Sequence, residues 1–194
     1  MTRSTAEVKH PRFESFEEYL EYTDSNNQLY ELFNGELVEV PPESGFNIGI
    51  ANFLLASFLP IVGYLRVRGH GLELEVNGEP PNRYPDLTII KAEHIEQLRS
   101  RNTVRLSMAA PDLVVEVVSP GNLQRDRDYI AKRNQYLDRE IPLYWIIDPQ
   151  VREIMVLTLT AAGYQEQIYR GDDRLQFQDI LLNLTADEIL SAGS

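Results

Sequence analysis

The segment that most constrains this chain is Pro111-Asp112-Leu113-Val114-Val115-Glu116-Val117-Val118, in which one glutamate sits inside a run of aliphatic side chains. Apolar and polar residues do not alternate here, so both faces of such a strand must be covered, as in a central sheet strand. A second run of the same kind, Leu143-Tyr144-Trp145-Ile146-Ile147, follows a charged helical stretch over Leu123 to Arg139. Strand, helix, strand is a βαβ unit with a right-handed crossover, and Ile130 and Leu137 are expected to point inward. A third run, Pro85-Asp86-Leu87-Thr88-Ile89-Ile90, is introduced by the same Pro-Asp pair as the first. An α/β chain with a mixed central sheet flanked by helices is predicted.

The remaining elements fit around that unit. Ser15-Phe16-Glu17-Glu18 has the form of a capping box and starts a short helix through about Tyr22. Asn34-Gly35, between the apolar flanks Leu29 to Phe33 and Glu36 to Val40, predicts a hairpin, because Asn-Gly readily takes the positive φ angles of a two-residue turn. Ile48 through Leu59 repeats apolar residues at helical spacing and should stop near Pro60. Leu65 to Arg68 and the alternating Leu72-Glu73-Leu74-Glu75-Val76 read as strands, the latter with one buried and one wet face. Ala92 to Arg101 reads as a surface helix. Glu153 to Thr160 and Tyr164 to Tyr169 form a C-terminal hairpin, and Thr185-Ala186-Asp187-Glu188 caps a last short helix.

Composition narrows the chemistry. At 194 residues and 43% hydrophobic, a single domain over 1–194 is expected, with its core at about 30–150 and the hairpin and short helix at 151–194. The absence of Cys removes disulfides, thiolate zinc sites and Cys nucleophiles. His10, His70 and His94 share no metal-ligand spacing and are expected at the surface. Neither a P-loop, a Gly-x-Ser-x-Gly elbow nor a dinucleotide-binding glycine turn is present, so no organic cofactor is expected. No apolar run approaching about 18 residues and no leader-like start were found, so a cytoplasmic protein without a membrane partner is expected. The net charge of −12 opposes binding to a polyanion, but the acidity is concentrated at the two ends. Residues 46–140 are balanced at 12 Lys/Arg against 12 Asp/Glu, with solvated arginines at 66, 68, 99, 101, 105, 125, 127 and 133.

Glu116 is therefore the first candidate for function. A buried carboxylate is costly unless it is paired, protonated or bound to a metal. Asp112 shares its face but lies about 13 Å along the strand, too far to share an ion. If Asp86–Ile90 pairs beside Val114–Val118, strands about 4.8 Å apart bring Asp86 and Glu116 within reach of one hard cation, Mg²⁺ or Mn²⁺, completed by water. Turn chemistry after Pro85 is the competing reading of Asp86. Asp128, Lys132 and Tyr136 fall on one helical stripe, either a solvated ion pair or, if the stripe faces the sheet, an ammonium placed over Glu116.

The ordered segments Tyr30-Glu31-Leu32-Phe33-Asn34-Gly35-Glu36-Leu37, Tyr84-Pro85-Asp86, Pro111 to Pro120, Asp128 to Tyr136 and Tyr144-Trp145-Ile146-Ile147-Asp148-Pro149 resemble the PD-(D/E)XK nuclease superfamily. Within it, the chain is similar to the bacterial family of restriction endonuclease-like proteins of unknown function. The resemblance implies a restriction-endonuclease-like core and metal-dependent hydrolysis of phosphodiester bonds in DNA. Asp86 and Glu116 would hold the metal, Lys132 would assist as a catalytic residue, and Glu31 would be an additional acidic residue. The superfamily's lysine two residues after the acid is Val118 here, so Lys132 would be a relocated equivalent. Asn47 and Leu143 stand where relatives often carry His and Glu.

Two functional classes follow: an Mg²⁺-dependent endonuclease, with arginines on phosphate, or an inactive nuclease-fold binding or regulatory module. A third reading makes Asp86, Glu116 and Lys132 a structural network. Cutting both strands of a duplex generally needs two sites, so the first class predicts a homodimer, with the acidic terminal segments as its interface.

Overall fold

A computed structural model describes residues 11–22, 28–178 and 180–194. His10 lies outside them. A six-stranded sheet forms the centre, in the order β11-β10-β9-β8-β6-β3. Its strands are β3 (Val67–Gly69), β6 (Leu87–Ile89), β8 (Leu113–Val117), β9 (Leu143–Asp148), β10 (Glu153–Thr160) and β11 (Gly163–Tyr169). Within this sheet β8 and β9 pair in parallel, and β3–β6, β6–β8, β9–β10 and β10–β11 are antiparallel. The C-terminal hairpin is thus not appended to the core but extends its sheet.

Both faces of β8 are covered, which explains the aliphatic residues on either side of Glu116. Leu113, Val115 and Val117 join a core formed with Ile50, Leu54 and Phe58 of α2 (Gly45–Val62) and Ile189 and Leu190 of α6 (Ala186–Ser191). Val114 and Val118 face a second core with Tyr136, Tyr144 and Leu74. That side carries a three-stranded sheet of β4 (Glu73–Glu75), β5 (Asn82–Arg83) and β7 (Thr103–Val104). A hairpin of β12 (Arg174–Phe177) and β13 (Ile180–Thr185), not anticipated from the sequence, adds Leu175 and Phe177 to the first core. The N-terminal helix α1 (Phe16–Glu21) packs Phe16 and Tyr19 with Phe13 and Leu32. Leu32 belongs to the hairpin β1 (Tyr30–Phe33) and β2 (Glu36–Glu39), whose Asn34 and Gly35 have φ of 48° and 79° as the turn requires.

Several expectations need correction. Helix α2 passes Pro60 and ends at Gly63, because a proline in the last turn costs one hydrogen bond without stopping the chain. Its 18 residues carry no charge, so an apolar run of membrane-spanning length does exist; here one side of it packs on the sheet. The surface helix expected from Ala92 is only α3 (His94–Gln97), and His94 is fully buried rather than exposed. Glu73 and Glu75 are buried instead of wet. The β4 strand is covered on both faces, and Arg101 and Arg105, expected to be solvated, supply their counter-charges. Arg66, Arg125 and Arg133 likewise pair with Asp112, Asp148 and Glu166.

The crossover helix is the element that positions the candidate site. It runs as α4 (Asn122–Asp126), a π-helical segment (Arg127–Lys132) and α5 (Arg133–Asp138). Ile130 is 58% exposed, not inward as expected. The face turned to the sheet is instead Asp128, Lys132, Gln135 and Tyr136, all buried.

Candidate active site

The register of β6 on β8 pairs Leu87 with Val115 and Thr88 with Val114, so the next step sets Asp86 across from Glu116. The backbone N–H of Val117 donates to Asp86 Oδ2 at 2.7 Å, which fixes the aspartate on the neighbouring strand. Asp86 is a bend residue just before β6, and it stands beside Glu116.

Lys132 reaches the same place from the helix. Its Nζ lies 2.7 Å from Glu116 Oε2 and 2.9 Å from Asp128 Oδ1. Tyr136 donates to Glu116 Oε1 at 2.6 Å, and Tyr144 donates to the Asp128 backbone carbonyl at 2.9 Å. The stripe therefore faces the sheet, and an ammonium stands over Glu116 without a lysine at position 118. The second oxygen of Asp128 is buried with no hydrogen-bond partner. An unfilled acceptor in such a place is costly.

The electrostatics follow from burial. Burial, reinforced by the nearby Glu116 charge, pushes the Asp86 carboxyl up to about 8. Burial also pushes Glu116 up, against the opposing pull of Lys132. Burial works against the Lys132 charge, but Glu116 and Asp128 outweigh it and hold the ammonium above its ordinary value. Lys132 consequently keeps its proton at neutral pH. It can orient or neutralise a negative group, but it is a poor base.

Around this centre, Asn47 donates to Glu43, to Ser119 Oγ and to the Val117 carbonyl. Ser119 donates to Glu43 at 3.0 Å. Asp86 opens onto a cavity of about 420 Å³ whose walls include Glu39, Glu43, Ile48, Leu55 and His70. His70, expected at an unrelated surface position, has its Nδ1 3.8 Å from Asp86 Oδ1. No sequence spacing links the two; the folding of β3 beside β6 brings them together.

Asp112 and Glu31 lie elsewhere. Asp112 forms ion pairs with Arg66 and Lys91 at the opposite end of β8. Glu31 Oε2 pairs with Arg83 Nη1 at 3.1 Å, and Arg83 Nε donates to Gln135.

Among the described residues no three His, Asp or Glu side chains converge into a ready metal cage. The donor set nevertheless fits a hard divalent cation. The Glu116 charge raises the proton affinity of the neighbouring buried Asp86, and an ion held by one or two carboxylates with water needs no third side chain.

Comparison with known proteins gives first the class and then the family. A crystal structure from Anabaena variabilis ATCC 29413, described as a putative nuclease belonging to DUF820, matches with a TM-score of 0.68. The match covers 92% of this chain and 98% of that one at 16% identity, so the two share a fold. No curated protein matches the chain. The family model Uma2, described as Putative restriction endonuclease, matches residues 16–190. The chain belongs to the Uma2 family.

Proposed function

We propose that this chain is a divalent-metal-dependent nuclease that hydrolyses phosphodiester bonds in DNA, with Asp86, Glu116 and Lys132 as its catalytic residues. The observation that supports this best is the convergence of Asp86, Glu116 and Lys132 from two strands and a crossing helix. Asp86 and Glu116 would hold Mg²⁺ or Mn²⁺. Such an ion, when bound, supplies an activated water and neutralises charge developing on phosphate.

The chain's own groups set the rest. The Val117 N–H and the Tyr136 hydroxyl orient the two carboxylates. Lys132 holds its proton and places positive charge beside Glu116, where it can face an anionic phosphate. Glu31 is held by Arg83 and enters only as an outlying acidic group.

One observation favours a second reading, a metal-binding but non-cleaving module. Among the described residues, the walls of the cavity in front of Asp86 include Glu39 and Glu43 and no Lys or Arg, and most of the central arginines are engaged by carboxylates. A cytoplasmic homodimer accompanies the nuclease reading and predicts twice the monomer mass in light scattering.

The test is cleavage of supercoiled, duplex and single-stranded DNA with Mg²⁺ or Mn²⁺, comparing wild type with Glu116→Gln. Cleavage by the wild type and a loss of about 100-fold or more in the variant support the nuclease. Cation binding without cleavage of any of the three substrates favours the module.

A further inference from the structure

A histidine stands beside Asp86. The β3–β6 register pairs Val67 with Ile89 and Gly69 with Leu87, where it ends; His70 follows β3 and Asp86 precedes β6. His70 and Asp86 thus leave the same end of this strand pair, with Asp86 held on the Val117 N–H of β8. The His70 Nδ1 is 3.8 Å from Asp86 Oδ1, the oxygen that the Val117 N–H leaves free. The imidazole and Asp86 open onto the same cavity. The His70 side chain is 30% exposed against 9% for Asp86, so it occupies the solvent side of the pair.

We propose that His70 is a further protein ligand of the cation held by Asp86 and Glu116, and that it tilts the site toward Mn²⁺ over Mg²⁺. This rests on the metal reading above. A nitrogen and an oxygen each about 2.1 Å from one ion at right angles stand about 3 Å apart, so a small rotation of the imidazole closes the pair. Mg²⁺ prefers oxygen donors and retains its water, whereas an imidazole nitrogen adds affinity for the later divalent ions of the first transition row. A carboxylate-only site has no such preference built in. An imidazole that merely balances the Asp86 charge would contribute no nitrogen to the ion.

The experiment uses Mn²⁺ itself as the probe on the full chain. Pulsed electron paramagnetic resonance of the Mn²⁺-loaded wild type should show modulation from a directly bound ¹⁴N that disappears in His70→Gln. Water-proton relaxation with Mg²⁺ competition should show the preference for Mn²⁺ reduced about tenfold in His70→Gln, with Mg²⁺ affinity unchanged. His70→Ala, checked for native circular dichroism, guards against an effect particular to Gln. Absence of the ¹⁴N signal, its persistence in both variants, or an unchanged metal preference would overturn the proposal. The Asp86→Asn/Glu116→Gln double variant separates the two levels. If it loses Mn²⁺ while His70→Gln binds like wild type, only the role of His70 falls; if it retains Mn²⁺, the metal site itself is wrong.

Discussion

Glu73 in β4 and Glu116 in β8 are equally buried, each 3% exposed between aliphatic neighbours. Glu73 is saturated. Its Oε1 accepts from Asn82 and Tyr84, its Oε2 from Thr103 and Arg101. Glu116 has Lys132 and Tyr136, but a second carboxylate, Asp86, lies across the strand, and the Lys132 partner Asp128 keeps an oxygen unfilled. Burial of a charge is thus no guide to function. What separates the two clusters is whether the donors balance the acceptors. The Glu73 cluster closes on itself and links three segments of the small sheet, whereas beside Glu116 the buried Asp86 is held protonated up to about pH 8, a proton that a cation would replace.

That contrast can be broken by substitution. The largest stability effect should come from Glu73→Ala, which strands Arg101, Asn82, Tyr84 and Thr103; we expect a loss of about 3–5 kcal/mol in urea denaturation. Lys132→Ala should cost about 3 kcal/mol by the same measurement, because Glu116 and Asp128 lose their common cation. Lys132→Ala is therefore a poor test of catalysis by itself.

Cation binding should move the two clusters in different ways. At about a hundredfold excess over Kd, Mn²⁺ should stabilise the wild type by about 2.7 kcal/mol in thermal denaturation and leave Asp86→Asn unchanged. The pH dependence sharpens this. Asp86 takes a proton at about 8 in the fold against 3.8 ordinarily, so the folded metal-free protein holds an extra proton between those values. Stability of the chelator-treated protein should fall as pH rises through that window, and Asp86→Asn should flatten the fall. Mn²⁺ affinity should rise with pH toward about 8, since ion and proton compete for the same oxygens. The smallest stability effect should be Glu116→Gln, under about 1 kcal/mol, because Lys132 retains Asp128 and repulsion with Asp86 is removed; DNA cleavage should nevertheless be lost.

Much of this was legible in the sequence. The apolar runs around Glu116 in Leu113–Val117 and at Leu143 to Ile147 marked the parallel centre of the sheet, and Asn34-Gly35 marked its hairpin, because burial on two faces and positive φ leave direct residue signatures. Asp86 and Glu116 could be paired once their strands were set side by side. Other features depend on contacts distant in sequence. Glu73 and Glu75 look like the wet positions of an alternating strand, and only Arg101 and Arg105, spaced four apart beyond a loop, hint that the pattern is buried. Regular helical spacing sets Asp128, Lys132 and Tyr136 on one stripe and Ile130 on the opposite side, but it does not reveal which of the two faces the sheet. His70 was hidden because a lone histidine carries no spacing, and its nearness to Asp86 arises only once the ends of β3 and β6 are brought together.

We propose that Asp86 and Glu116 form a cation site and that Glu73 does not. Water-proton relaxation during Mn²⁺ titration tests it most directly, on wild type, Asp86→Asn/Glu116→Gln and the near-isosteric Glu73→Gln checked for native folding. The account predicts one saturable site in the wild type and Glu73→Gln that is absent from the double variant. Equal weak binding by all three would assign Mn²⁺ to the general acidic surface and leave Asp86 and Glu116 as structural residues.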